Sequence, residues 1–253
     1  MGSKGDLKWV SKIASLTRGF ENKGKVRDAA CCHQCLAGSS QDRAFEDISQ
    51  HPVWEATLHV ERPYSPNRLP CLHQIPFDST RPELIYRHDS FHNLRLGLYR
   101  DFAASTIFLW VRWGYFGQSG QLPDKLIAAH GHFSLWATTT SHTPALRSFS
   151  TQLFNYKNAS SYVWANTKGS DTTLLCKWID TACAGFIHEE TDPQRREVLS
   201  VILPASRLAT DWFNLLYTHG ALLSRMCGAN LYERGQGFLQ GYSWLASYLL
   251  HEH

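Results

Sequence analysis

With 253 residues, nine Trp, thirteen Phe and 43% hydrophobic residues, the chain can bury a substantial core, which excludes a disordered polymer. Lys and Arg number 25 against 22 Asp and Glu, a formal charge of +3 with no polybasic tract, so composition permits a nucleic-acid partner without arguing for one. No apolar run approaches the roughly 20 residues of a bilayer span, MGSKGDLKWV holds no signal-peptide core, and the seven cysteines are odd in number; reduced thiols in the nucleus or cytoplasm, not secretion, are the expectation.

Asp6 to Phe20 reads as a short amphipathic helix, with Trp9, Ile13, Leu16 and Phe20 recurring at spacings of three and four. Residues 21–30 are charged and contain glycine, the composition of a loop or hairpin edge. Cys31, Cys32 and Cys35 follow. Over residues 38–80, Pro52, Pro63, Pro66, Pro70 and Pro76 keep regular structure from running far. An irregular connection is expected there, with a short helix or strand near Trp54–Val60. A connection of that length within a domain is commonly functional or tied by a metal.

The rest of the chain is organised around Pro82 to Phe116. Asp89-Ser90-Phe91-His92 sets a carboxylate and an imidazole three positions apart, and a helix starting near Asp89 would bring both to one face. Asp89 would also serve as an N-cap. Phe102 to Phe116 is almost wholly apolar, interrupted by Arg112. A helix apolar on every side must be buried, so the expectation is a core helix with the Asp89–His92 pair at its mouth.

Pro123-Asp124 opens a further helix to about Trp136, and residues 150–162 hold a short helix or strand and a loop. Leu174, Leu175, Trp178, Ile179 and Ala182 line one face of a helix capped by Ser170 or Asp171. Asp192-Pro193 starts a helix through Leu203 that Pro204 breaks. Residues 206–224 and 236–250 complete the run, with Phe238, Tyr242, Leu245 and Leu249 on one side of the last helix. The expected fold is mainly α with minor β: one domain over 1–253, whose helical part is 82–253.

Cys32-His33-Gln34-Cys35 is a C-x-x-C knuckle, whose spacer lets two thiolates grip one zinc ion. One knuckle is half a site. Cys71-Leu72-His73 is the most attractive second half, with His88 and His92 as alternatives. The competing reading is a pair of partly buried thiols with no metal. Asp89 and His92 could bind a divalent cation, relay a proton, or simply cap and pack. Lys168-Gly169-Ser170-Asp171 lacks the upstream glycine of a phosphate loop, His130 and His132 fall on different helix faces, and His251-Glu252-His253 lacks metalloprotease spacing.

Several landmarks stand in order along the chain: Gly5-Asp6 before a Trp-containing helix; Cys32-His33-x-Cys35-Leu36-Ala37-Gly38; Arg87-His88-Asp89-x-Phe91-His92 with Leu96-Gly97-Leu98; Phe102-Ala103-Ala104-Ser105-Thr106-Ile107; Lys168 to Thr172; and Phe238-Leu239-x-x-Tyr242-x-x-Leu245-Ala246. This order resembles a family of dinoflagellate proteins over nearly the whole chain. That family in turn is similar to cut-and-paste DNA transposases with an RNase H-like D-D-E core, of the CACTA and Kyakuja–Dileera–Zisupton kind. The resemblance implies part of an RNase H-like core plus its helical insertion. It puts Asp6 at the second catalytic aspartate, Cys32 and Cys35 in the knuckle, and Asp89 and His92 in a D-x-x-H signature near the active site. Such chemistry needs three carboxylates holding two magnesium ions. The strand of the first aspartate would precede this sequence, and Glu233, the nearest late glutamate, matches no motif, so the expectation is a catalytically incomplete, transposase-derived chain with weak DNA binding. Two further readings stand beside it: a zinc-stabilised helical interaction module, and an enzyme using Asp89 and His92 for proton transfer.

Overall fold

The structure, a computed structural model, describes residues 16, 30–32, 34–49, 51–58, 60, 76, 78–80, 91–158, 161–219 and 223–251. The chain divides into two compact units, Met1–Asn93 and Leu94–His253.

In the first unit the described residues form turns and two short 3-10 helices, Gln41–Arg43 and Val53–Thr57. The second of these meets the expectation of a short element near Trp54. The indole Nε1–H of Trp54 donates to Asp47 O at 2.9 Å, and Thr57 Oγ1–H donates to Trp54 O at 2.6 Å. Proline at 52 supplies the extended entry to this helix, with φ −67° and ψ 146°. The amphipathic helix expected over 6–20 lies outside the described residues except at Leu16. There the backbone makes an isolated β-bridge, the one β feature among the described residues.

The second unit is helical: α1 Tyr99–Trp113, α2 Leu122–Thr139, α3 Gly169–Glu189, α4 Pro193–Thr218 and α5 Arg225–His251. A π-helical run, Phe91–Leu98, leads into α1 and is interrupted at Gly97, whose φ −111° and ψ −110° are not helical. The apolar stretch read from the sequence is indeed interior. Phe102, Ala103, Ala104, Ile107, Phe108, Trp110 and Val111 are all buried, and Arg112 alone turns out to solvent within that span. Gly114 ends α1 in the left-handed region at φ +83°, while Tyr115 N–H reaches back to Trp110 O at 3.1 Å.

α2 begins with a reciprocal cap: Gln121 N–H donates to Asp124 Oδ2 at 3.0 Å, and the Gln121 side chain accepts from the Asp124 amide, with Pro123 in the first turn. α3 departs from the expectation. Neither Ser170 nor Asp171 caps it; Lys168 is the N-cap residue and offers no side-chain bond. Asp171 instead turns inward, only 3% exposed, and accepts the Ala145 amide at 2.9 Å. A loop amide reached by tertiary packing takes the carboxylate that the helix end would otherwise use.

α4 also departs from it. Asp192 caps the helix as read, accepting Gln194 N–H at 2.8 Å and Arg195 N–H at 3.2 Å. Yet Pro204 does not end it; the helix runs on to Thr218. Pro204 and Ser200 both face solvent, so water can satisfy the carbonyl that loses its partner. Ile202 and Ala205, both buried, hold either side of the proline in the core. The last helix likewise begins at Arg225, eleven residues earlier than the hydrophobic stripe from Gln236 implied.

α4 packs along both α3 and α5, and α1 lies against α2 and α3. Gly237 and Gly241 make the α4–α5 approach close. A Cβ at Gly241 would lie 3.3 Å from Ala205 Cβ, and one at Gly237 would lie 2.8 Å from Leu208 Cδ1. Aromatic rings fill the core in two groups. Trp178 meets Trp110, Phe116, Phe133 and Phe149 at centroid distances of 5.4–6.0 Å. Tyr99 meets Phe213 and Phe238 at 5.3 and 4.5 Å, and Phe102 meets Phe238 at 5.5 Å. Edge-to-face pairs of this kind add to burial because ring edges and faces carry opposite partial charge.

Candidate functional site

Of the residues the sequence singled out, Asp6, Asp89, Cys71 and His73 lie outside the described residues, as do His33 and His88. Cys32, Cys35 and His92 lie within them, all in the first unit.

The cysteine loop is closed by its own backbone. Cys31 N–H donates to Ala37 O at 2.7 Å, Ser39 N–H to Leu36 O at 3.1 Å, and Gly38 N–H to Arg43 O at 2.6 Å. Leu36 N–H is held by Thr57 Oγ1 at 2.8 Å, which ties the loop to the second 3-10 helix. Gly38 is required where it stands. Its φ is +80°, and a Cβ there would lie 2.5 Å from Cys31 Sγ. Cys31 and Cys35 are buried, while Cys32 is partly exposed. Inside the loop, Gln34 N–H donates to Cys32 Sγ at 3.3 Å. A neutral thiol is a weak acceptor, whereas a thiolate accepts well. The Gln34 amide dipole is thus directed at Cys32 Sγ, one of the two sulfurs of the C-x-x-C spacing.

Among the described residues no three His, Cys, Asp or Glu side chains gather as a metal-binding group. With Cys32 and Cys35 as one half of a site, the remaining ligands would come from beyond the described residues. His92 is partly buried in the π-helical run before Gly97.

In the helical unit the histidines noted in the sequence are packing residues. His130 lies against Phe149 at a centroid distance of 5.2 Å, and His132 Nδ1 accepts the Trp178 indole N–H at 3.0 Å. Partial burial pushes both imidazoles below their ordinary value, so both favour the neutral form. Glu233 is exposed on α5. Glu190 is a clasp: its carboxylate accepts from the Tyr115 hydroxyl and, at 2.9 Å each, from the amides of Thr191 and Asp192. The Tyr115 bond is the main reason its carboxyl sits below the usual range.

A feature that the sequence reading passed over lies along α1. A cavity of about 350 Å³ is walled by Phe102, Ser105, Leu109 and Arg112 of α1, by Tyr242 and Leu245 of α5, and by Tyr156, Ser161, Tyr162 and Val163. At its edge Tyr162 O–H donates to Asp101 Oδ2 at 2.9 Å. Burial raises the Asp101 carboxyl above its ordinary value, opposed by this bond and by Arg100. The signal available in the sequence was the i, i+3, i+4 order of Phe102, Ser105, Leu109 and Arg112. It places Ser105 and Arg112 on the same face of the helix as Phe102 and Leu109.

No helix among the described residues is long and apolar enough to cross a membrane. No family model, no curated protein and no solved structure matches the chain.

Proposed function

We propose that the chain is an interaction protein whose N-terminal cysteine loop is tied by a structural zinc ion and whose helical unit binds partners without performing chemistry on them. The amide of Gln34 directed at Cys32 Sγ carries this reading, because it sits in a loop already closed around the C-x-x-C spacing. Cys32 and Cys35 would be two ligands, and Cys71 and His73 complete the set proposed from the sequence. The metal would supply shape rather than reactivity, since four protein ligands leave no open position.

The test is metal analysis of the intact chain purified with zinc. One equivalent is expected, lost in the Cys32→Ser, Cys35→Ser double variant. A folded chain without zinc, or a double variant that keeps its zinc, ends this reading.

A second reading keeps the transposase descent and a weak DNA-binding role. It is supported by the order of the landmarks. Gly38, one of them, has a structural task in the loop, so the Cys-x-x-Cys-Leu-Ala-Gly run is a built unit and not a chance spacing. Titration with a DNA duplex at rising salt separates the two readings. Affinity that falls steeply with salt supports retained DNA contacts, because neutralising phosphates releases counterions. Zinc without such binding supports the first reading alone.

A further inference from the structure

We propose that the cavity along α1 binds an uncharged aromatic alcohol of two fused rings, with the ligand hydroxyl bonded to Thr106 Oγ1. Size sets the body of the ligand. A cavity of about 150 Å³ takes one benzene ring, and this one measures about 350 Å³. The walls favour rings over chains, because Phe102, Phe108, Tyr156 and Tyr242 all line it. These rings are already set against one another. Phe108 meets Tyr156 at a centroid distance of 5.0 Å, and Phe102 meets Tyr242 edge-to-face at 6.0 Å. An aromatic ligand continues the same offset and edge-on contacts.

The hydroxyl follows from Thr106. That residue lines the cavity, is only 3% exposed, and makes no side-chain hydrogen bond among the described residues. Threonines in other helices bond back to their own backbone: Thr139 Oγ1 donates to Leu135 O at 3.0 Å, and Thr218 Oγ1 to Asn214 O at 2.8 Å. Ser161 and Tyr162 at the same walls are engaged as well. Ser161 Oγ accepts the amides of Lys157 and Asn158 at 3.0 and 2.9 Å, and Tyr162 O–H donates to Asp101 Oδ2 at 2.9 Å. A buried hydroxyl without a partner has lost the bonds that water gave it. A ligand hydroxyl can both donate and accept, so it restores them whichever way Thr106 turns.

Charge is disfavoured on the ligand. Arg112, the one charged residue of the walls, already has a partner. An ionised group would leave water for walls made mostly of ring and aliphatic carbon, which costs far more than burying a hydroxyl. The backbone behind these walls is also fixed in advance. Asn166 N–H donates to Leu153 O at 2.8 Å and Trp164 N–H to Phe154 O at 3.3 Å, while the Arg100 guanidinium lies 4.4 Å from the centre of the Trp164 ring. Walls that are already ordered cost the ligand less on binding.

The experiment titrates the intact chain into three probes by calorimetry: 2-naphthol, 2-methylnaphthalene, which lacks the hydroxyl, and 2-naphthoate, which is charged. 2-Naphthol is expected to bind at least about tenfold more tightly than 2-naphthoate. Thr106→Val is expected to weaken 2-naphthol about fivefold, the worth of one hydrogen bond, and to leave 2-methylnaphthalene unchanged. Ser105→Leu, which fills part of the space, is expected to abolish 2-naphthol binding in a chain that keeps its helical circular dichroism, and it carries the test should Thr106→Val not fold. Absence of 2-naphthol binding by the folded chain at millimolar concentration overturns the proposal. So does 2-naphthoate binding as tightly, an equal loss for both uncharged probes in Thr106→Val, or full 2-naphthol binding by either folded variant.

Discussion

In residues 30–58 the backbone is held by hydrogen bonds between near neighbours, two short 3-10 helices and one threonine hydroxyl. In residues 94–251 it is held by rings from several helices meeting in a common core. The cysteine loop thus has defined local geometry but few large buried side chains among its described residues. The helical unit buries two tryptophans, Trp110 and Trp178, to complete exclusion from water. Local closure of that sort stabilises little by itself, which is why small loop-rich units in general depend on a metal or a covalent staple. A ring-filled bundle needs neither.

The largest expected effect tests the first half of this contrast. If the proposed zinc ion ties the cysteine loop, chelator should open that loop to protease while the helical unit keeps its melting transition, because structural zinc supplies on the order of 10 kcal/mol to the segment it ties. Equal protection with and without chelator would show that the loop stands without a metal. Next in size, Trp178→Ala should cost the helical unit about 3–5 kcal/mol, read as a lower denaturation midpoint. That side chain touches four other rings and donates to His132. A loss below about 1 kcal/mol would mean the core collapses around the gap.

Gly38→Ala should weaken the cysteine loop by about 1–3 kcal/mol, seen as faster proteolysis of that loop, since the new methyl group meets Cys31 Sγ at a backbone conformation that alanine avoids. The smallest effect is conditional on alkali. Burial pushes the Cys176 thiol up to about 12 from a usual value of 9.0, and Cys183 likewise to about 12. Below that usual value both the folded and unfolded chains keep these protons. Between it and about 12 the unfolded chain releases protons that the folded chain retains, so stability falls as pH rises through that window. Cys176→Val should flatten part of this decline without changing stability's slope at neutral pH. An unchanged alkaline slope would show that Cys176 is not desolvated.

Much of the helical unit was legible before the coordinates. The nearly continuous apolar run gave away α1, Pro123-Asp124 gave the start of α2, and Asp192-Pro193 gave that of α4, because caps and periodicity act within one or two turns. Pro204 misled for a physical reason: a proline stops a helix only where the freed carbonyl cannot reach water and the flanks are not held, and here both conditions fail. Asp171 misled because a cap and a buried acceptor need the same residue type. Beyond the face of α1, the cavity was illegible, since its other walls come from α5 and from Tyr156, Ser161, Tyr162 and Val163, which are far from α1 along the chain. Asp6, Asp89, Cys71 and His73 lie outside the described residues, whereas Cys32 and Cys35 lie within them.

What the sequence determined unaided is what depends on near neighbours: a buried aromatic helix after Gly97 and helix starts at proline-bearing caps. Tertiary structure alone decided that α4 continues through Pro204, that Asp171 serves a loop, and that Arg112 stands at the end of a cavity. Those outcomes turn on which distant surfaces exclude water from a residue, and no stretch of chain carries that information about itself.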